Sequence, residues 1–169
     1  FNAIKLKDPR VGCSMSHLKI IKIAKERNLD YVVVLEDDVE FTKPVDLNKK
    51  LDMFSKMNID YDVLLLAGNL RPPVTHIKDF VFRAQKSFAG TAYVVKKHYY
   101  DVLIKNIESG IRGLMSDPNS HPINAFDTQW FTLQQKDKWL IFLPRTVKQS
   151  IDYSDIEKKN VDYSRLMLD

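Results

Sequence analysis

The sequence holds one cysteine, Cys13, in 169 residues. It excludes an internal disulfide and a zinc site built from cysteines. No Asn-x-Ser/Thr acceptor is present either. Both absences favour a reducing, cytoplasmic compartment. The alternative is a lumenal location with a leader removed, because the chain opens at Phe1 rather than Met. Cys13 itself reads as a small buried hydrophobe rather than a reactive thiol. No apolar run is long enough to span a bilayer, and no signal peptide stands at the start. Glycine is scarce, five in all, and none falls in a Gly-x-Gly-x-x-Gly or P-loop pattern. Neither a dinucleotide fold nor a P-loop NTPase is supported. His76, His98 and His121 show no metal-ligand spacing. Lysine and arginine exceed aspartate and glutamate by 26 to 22. That mild excess suits an anionic ligand, but no basic stripe with interleaved aromatics appears, so nucleic acid is not the expected partner. The composition leaves the oligomeric state open.

What is present is a globular composition, 44% hydrophobic and 28% charged, long enough for one domain, 1–169, with a real core. The chain is organised around Asp30–Phe41. Tyr31–Leu35 is an unbroken, β-branched apolar run, the pattern of a strand covered on both faces in a mostly parallel sheet. It stops at three carboxylates, Glu36, Asp37 and Asp38. Ligands of open α/β sheets bind outside the carboxyl ends of strands. Two like charges 4 Å apart repel by about 4 kcal/mol at a near-surface dielectric, so such a cluster is tolerated where something positive sits in it. If strand geometry persists, Glu36 and Asp38 share a face and Asp37 takes the other. A divalent cation chelated by Glu36 and Asp38 and bridging a diphosphate is one reading; a polar strand end followed by a solvated turn is the other.

Around this strand, Phe1–Val11 lacks periodicity and reads as a tail. Ser14 or Ser16 is placed to cap a helix carrying Leu18, Ile21 and Ala24 and ending near Asn28. Lys43–Pro44 breaks the chain, and Asp46 is placed to cap a helix with Leu47, Leu51 and Phe54 on one stripe. Tyr61–Ala67 reads as a buried strand, the segment from Arg71 as irregular, and Phe80–Phe82 as a short edge strand. Phe88–Val95 reads as a strand in which Gly90 permits close approach. Lys96–Ile107 is an expected helix, Ser109–Pro122 a long loop, and Asn124 the cap of a helix bearing Phe126, Trp130 and Leu133. Trp139–Leu143 is an expected strand. Residues 145–169 read as a surface-wrapping tail. The alternation defines an α/β sandwich.

Four blocks then occur in order: Gly12-Cys13-Ser14-Met15-Ser16-His17, Val34 to Phe41, Gly90-Thr91-Ala92-Tyr93-Val94-Val95, and Tyr153-Ser154-Asp155-Ile156. Together they resemble glycosyltransferase family 25, which contains bacterial lipooligosaccharide galactosyltransferases and collagen galactosyltransferases. The resemblance implies a GT-A fold, an inverting reaction, a UDP-sugar donor (UDP-galactose in most members) and Mn²⁺ or Mg²⁺. The acceptor it implies is a hydroxyl on a saccharide or on hydroxylysine. Glu36-Asp37-Asp38 matches the family's acidic motif, so Glu36 and Asp38 are expected to hold metal and Asp37 to bind the nucleotide sugar. Family members begin with an apolar strand and an Arg-rich segment, whereas Phe1–Ile4 resembles only the end of that region. A missing first strand is therefore expected, and the competing reading is a truncated member that binds glycan or a partner without catalysis.

The remaining assignments each have a plainer counterpart. Asp127 is the candidate base that takes the acceptor proton; its plainer role is to complement a helix N-terminus. His17 is placed to meet the diphosphate from the first turn of its helix, or else to bond a nearby loop. Gly90 and Thr91 are expected against the donor sugar, or in a packed strand. Ser154 and Asp155 are expected to close over the donor phosphates, or to form an ordered tail. Trp130 and Trp139 read as core.

Overall fold

A computed structural model describes residues 8–168. Helix α1, Pro9–Glu26, opens the described chain. Its cap is Asp8, whose carboxylate accepts from the Arg10 amide at 3.0 Å, with Pro9 pre-set at the first helical position. The expected caps Ser14 and Ser16 lie inside the helix, bonded back to Arg10 and Gly12 carbonyls. Pro9–Val11, read as tail, are helical. The reading of Phe1–Ile4 lies outside the described residues. Val11, Leu18, Ile21 and Ala24 make the buried stripe, and Asn28, in the left-handed region at φ 57°, ends the helix where expected.

Strand β1, Tyr31–Leu35, pairs antiparallel with Ala92–Lys96, Val33 opposite Val94. The six-stranded sheet runs, by residue range, 31–35, 92–96, 63–65, 139–142, 81–84 and 74–78. Only the pair Val63–Leu65 with Trp139–Phe142 is parallel; the other four neighbours are antiparallel. The expected mostly parallel sheet is thus corrected to a mixed one. Among the described residues β1 is an edge strand, covered on one face: Val34 is buried while Tyr31, Val33 and Leu35 are 58%, 46% and 44% exposed. Apolar residues on its open side hid the alternation that marks a one-sided strand.

The interior strand β3, Val63–Leu65, divides the core. Val63 and Leu65 face one cluster with Ile21, Leu103 and Trp139, while Leu64 faces Leu47, Phe54 and Phe142. Helices therefore cover both faces. One layer holds α1 and the helix Tyr100–Ser116, which pack along each other; the other holds α2, Pro44–Lys56. In α2 Pro44 starts the helix instead of breaking the chain, Lys43 occupies the cap position, and Asp46 lies in the first turn. Trp130 and Trp139 are fully buried, as expected.

Further expectations are corrected. Val74–Lys78, read as irregular, is the second edge strand, and Val81–Ala84 is interior beside it. All of 74–78 is exposed, so no burial pattern marks it. The helix expected at Lys96–Ile107 runs Tyr100–Ser116 after a tight turn at Lys97–Tyr99, and absorbs half of the expected loop. Its Gly110 and Gly113 are packing positions: a Cβ would meet the Asn124 carbonyl oxygen at 2.7 Å or its side-chain amide at 2.3 Å. Asn124 ends the short helix His121–Asn124 rather than capping the next one, Phe126–Gln129. The 145–169 segment is no mere wrapper. Its strand Val147–Gln149 pairs with β2, Val39–Phe41, and Arg145, Val147, Val161 and Met167 are buried. Among the described residues no helix is long and apolar enough to cross a membrane.

Candidate active site

β1 ends at Leu35, and the acidic triplet forms the turn into β2. The Glu36 amide donates to the Thr91 carbonyl at 2.9 Å, and the Val39 amide to the Glu36 carbonyl at 3.3 Å. A distant segment closes the turn. The Ser150 amide donates to the Asp38 carbonyl at 2.8 Å, and Gln149 Nε2 to Asp38 Oδ2 at 2.6 Å. Strand geometry does not persist through the triplet, so the argument that Glu36 and Asp38 share a strand face fails. The turn nevertheless brings both to one cavity. Asp38 Oδ1 is buried without a hydrogen-bond partner. Burial holds the Asp38 carboxyl above its ordinary pKa, and Glu36 and Asp37 add to the effect against the Gln149 bond.

Two clefts flank this turn. The first, about 630 Å³, is lined by Asp127, Gly90, Arg10 and Arg71 among others. The second, about 650 Å³, holds Asp37, Asp38, His17 and Asp155. Glu36, Cys13, Gln149, Ser154 and Ile156 line both.

Asp127 stands at the start of the helix Phe126–Gln129. Its Oδ2 accepts from the Ala89 amide at 3.0 Å and its Oδ1 from the Thr128 amide at 2.9 Å. The first of these bonds is made possible by Ala89 in the left-handed region, at φ 66°. Burial raises its pKa, the amide bonds oppose this, and Glu36 adds to it. The result is a carboxylate with enhanced proton affinity in a cleft wall.

His17 is not in the first turn of its helix, because α1 begins at Pro9; the helix-amide argument for anion binding therefore does not apply to it. It is buried, stacked on Phe126 at a centroid distance of 4.1 Å. Its Nδ1 lies 2.8 Å from the Tyr93 hydroxyl and its Nε2 3.1 Å from Glu36 Oε1. Cys13 is partly buried and packs against the core, close to the buried-hydrophobe reading, while its Sγ lies 3.9 Å from the same Glu36 oxygen. Burial, then the carboxylates of Glu36, Asp127 and Asp38, push its thiol pKa well up.

The other expected residues separate. Gly90 lines the first cleft, but its missing side chain makes room for Phe126, whose ring a Cβ would meet at 2.5 Å. Thr91 is fully buried and lines neither cleft; it serves the site through the carbonyl that holds Glu36. Ser154 borders both clefts, and Asp155 only the second. Sequence reasoning missed Gln149, Arg10, Arg71 and Tyr93. The first three lie in stretches without pattern, and Tyr93 was hidden inside an apolar strand. The Cys13–His17 spacing, four residues along one helix face, was the one legible signal.

Carboxylates converging at a strand end beside two clefts stand where α/β proteins bind their ligands. The family model described as glycosyltransferase family 25 (LPS biosynthesis protein) matches residues 2–118, and the chain belongs to that family. A segment of 65 residues is 34% identical to a Haemophilus influenzae (strain ATCC 51907 / DSM 11121 / KW20 / Rd) protein that is named, provisionally, as a glycosyltransferase. That segment covers 38% of this chain and 22% of the relative. The family match takes in His17 and the acidic triplet, while Asp127, Ser154 and Asp155 lie beyond it.

Proposed function

We propose that the chain transfers a hexose, galactose first among the candidates, from a UDP-sugar to a hydroxyl on a saccharide or hydroxylysine, in a GT-A-like site. The observation that carries this reading is that one cleft holds the acidic turn, the other holds Asp127, and the two meet at Glu36. The nucleotide sugar then lies in the second cleft against Asp37, with Ser154 and Asp155 bordering it, and the acceptor enters by the first.

The residues fit a hard cation. Asp38 offers a buried oxygen with no other partner, and carboxylate oxygens are the ligands Mn²⁺ and Mg²⁺ take. Glu36 and Asp38 would hold it, and when bound it supplies charge neutralisation for the leaving diphosphate. Asp127 accepts the acceptor hydroxyl proton as that oxygen attacks the anomeric carbon; the two amide bonds fix its carboxylate, and burial raises its proton affinity. One displacement inverts the anomeric centre.

Calorimetric titration of UDP into the chain, with Mn²⁺ and then with EDTA, tests the reading. Binding that requires Mn²⁺ and is lost in Asp38→Asn is expected. Equal binding in EDTA would overturn the metal assignment, and no binding in either condition would overturn the donor site.

A further inference from the structure

Cys13 and His17 are four residues apart on α1 and project from one face of it. Glu36 meets them from the end of β1. Cys13 Sγ, His17 and a Glu36 carboxylate oxygen offer ligand atoms that all lie within 4.8 Å of one another. His17 Nε2 lies 3.1 Å and Cys13 Sγ 3.9 Å from Glu36 Oε1, one slightly shorter and one slightly longer than the edges of about 3.3–3.6 Å in a tetrahedral site with bonds of about 2.0–2.3 Å.

We propose that Cys13, His17 and Glu36 form a binding site for a thiophilic divalent transition metal of the zinc class, with its fourth position open to the clefts. Three observations beyond the distances support it. The charges balance, since a thiolate, a carboxylate and a neutral imidazole carry −2 together. The ligating histidine has the partner such ligands need: with Nε2 on the metal, Nδ1–H donates to the Tyr93 hydroxyl 2.8 Å away, fixing tautomer and ring. The ring is also clamped by Phe126 at 4.1 Å. The three groups line the cavities: Cys13 and Glu36 face both clefts, and His17 the second, so the ion has an entry path and room for a water or ligand atom. On binding, the Cys13 proton leaves to solvent.

This site is distinct in chemistry from the hard-cation pair proposed above. The two share Glu36 alone, and the soft thiolate of Cys13 does not suit Mn²⁺ or Mg²⁺. The inference does not depend on sugar transfer.

The experiment is titration of Co²⁺ alone into the chain with a non-thiol reductant present. The sequence has a single cysteine, so a thiolate-to-cobalt charge-transfer band reports Cys13 without any substitution. The expected result is a band that saturates at one ion per chain, is displaced by Zn²⁺, disappears in Cys13→Ala and persists in Asp38→Asn. Tyr93→Phe should weaken cobalt affinity by about 10-fold, the low end for loss of an outer-shell partner. Absence of the band in the unsubstituted chain would overturn the site. So would saturation at one ion per two chains, or affinity unchanged in His17→Ala.

Discussion

Gln149 reaches back to hold Asp38: its side-chain amide donates to the carboxylate at 2.6 Å although 111 residues separate the two in sequence. The pairing of Val147–Gln149 with Val39–Phe41 puts Gln149 there, opposite Val39. The carboxyl-terminal segment is thus part of the acidic turn, not a cover over it.

Gln149→Ala removes a hydrogen bond that lowers the Asp38 pKa against burial. A hydrogen bond to a charged group is worth about 1.5–3 kcal/mol. UDP affinity in Mn²⁺ should fall by roughly 10-fold or more, and calorimetry reads it. Affinity within twofold of the original would show that Gln149 does not tune Asp38.

Asp127 sets a second prediction through its proton. Its folded pKa is raised above the ordinary carboxylate value, chiefly by burial. Only the ionised form is a base, so the rate should fall as pH falls through that raised pKa, placing the acid limb above the usual carboxylate range. Stability runs the other way: a raised carboxyl pKa means folding is favoured as pH drops from the folded value toward the unfolded one. Asp127→Asn should reduce the transfer rate about 10²–10⁴-fold and remove the acid limb. A pH–rate profile of UDP release from the sugar nucleotide checks both.

Gly90→Ala introduces a Cβ at 2.5 Å from the Phe126 ring, which also stacks on His17. Overpacking of this kind costs about 1–3 kcal/mol, and thermal unfolding should begin several degrees lower. An unchanged Tm would mean that Phe126 moves aside freely.

Thr91→Val separates position from contact. The hydroxyl is buried with no hydrogen-bond partner, and Thr91 lines neither cleft. Its removal should leave Tm unchanged or slightly raised, by the about 1–3 kcal/mol that an unmet buried polar group costs. UDP-sugar affinity should stay within twofold; a larger loss would restore the expected contact between Thr91 and the sugar.

Local chemistry made much of the architecture legible. Strands at Tyr31–Leu35, Val63–Leu65 and Trp139–Phe142 announced themselves as apolar runs, and the stripe Leu47, Leu51, Phe54 as a helix face. Their pairing direction was not legible, because β-branched apolar runs look alike in parallel and antiparallel sheets. Caps went astray where a proline outranked a serine or an aspartate, at Pro9 and Pro44. The stretch holding Gly110 and Gly113 read as loop because the residue that needs their space, Asn124, lies outside any local pattern around them. At the site, the acidic triplet was visible and its geometry was not: the turn depends on Thr91 and Gln149, contacts that no local pattern encodes.

Ser154 and Ile156 line both clefts, which has an energetic consequence. Ligands placed on the two sides of a shared lining would be coupled to the extent that either one shifts it. Whatever factor a molecule in one cleft applies to its neighbour's affinity, the neighbour returns. Because the factor is the same in both directions, a lining held in common sets how strongly the two sites favour or oppose each other, and not which is filled first.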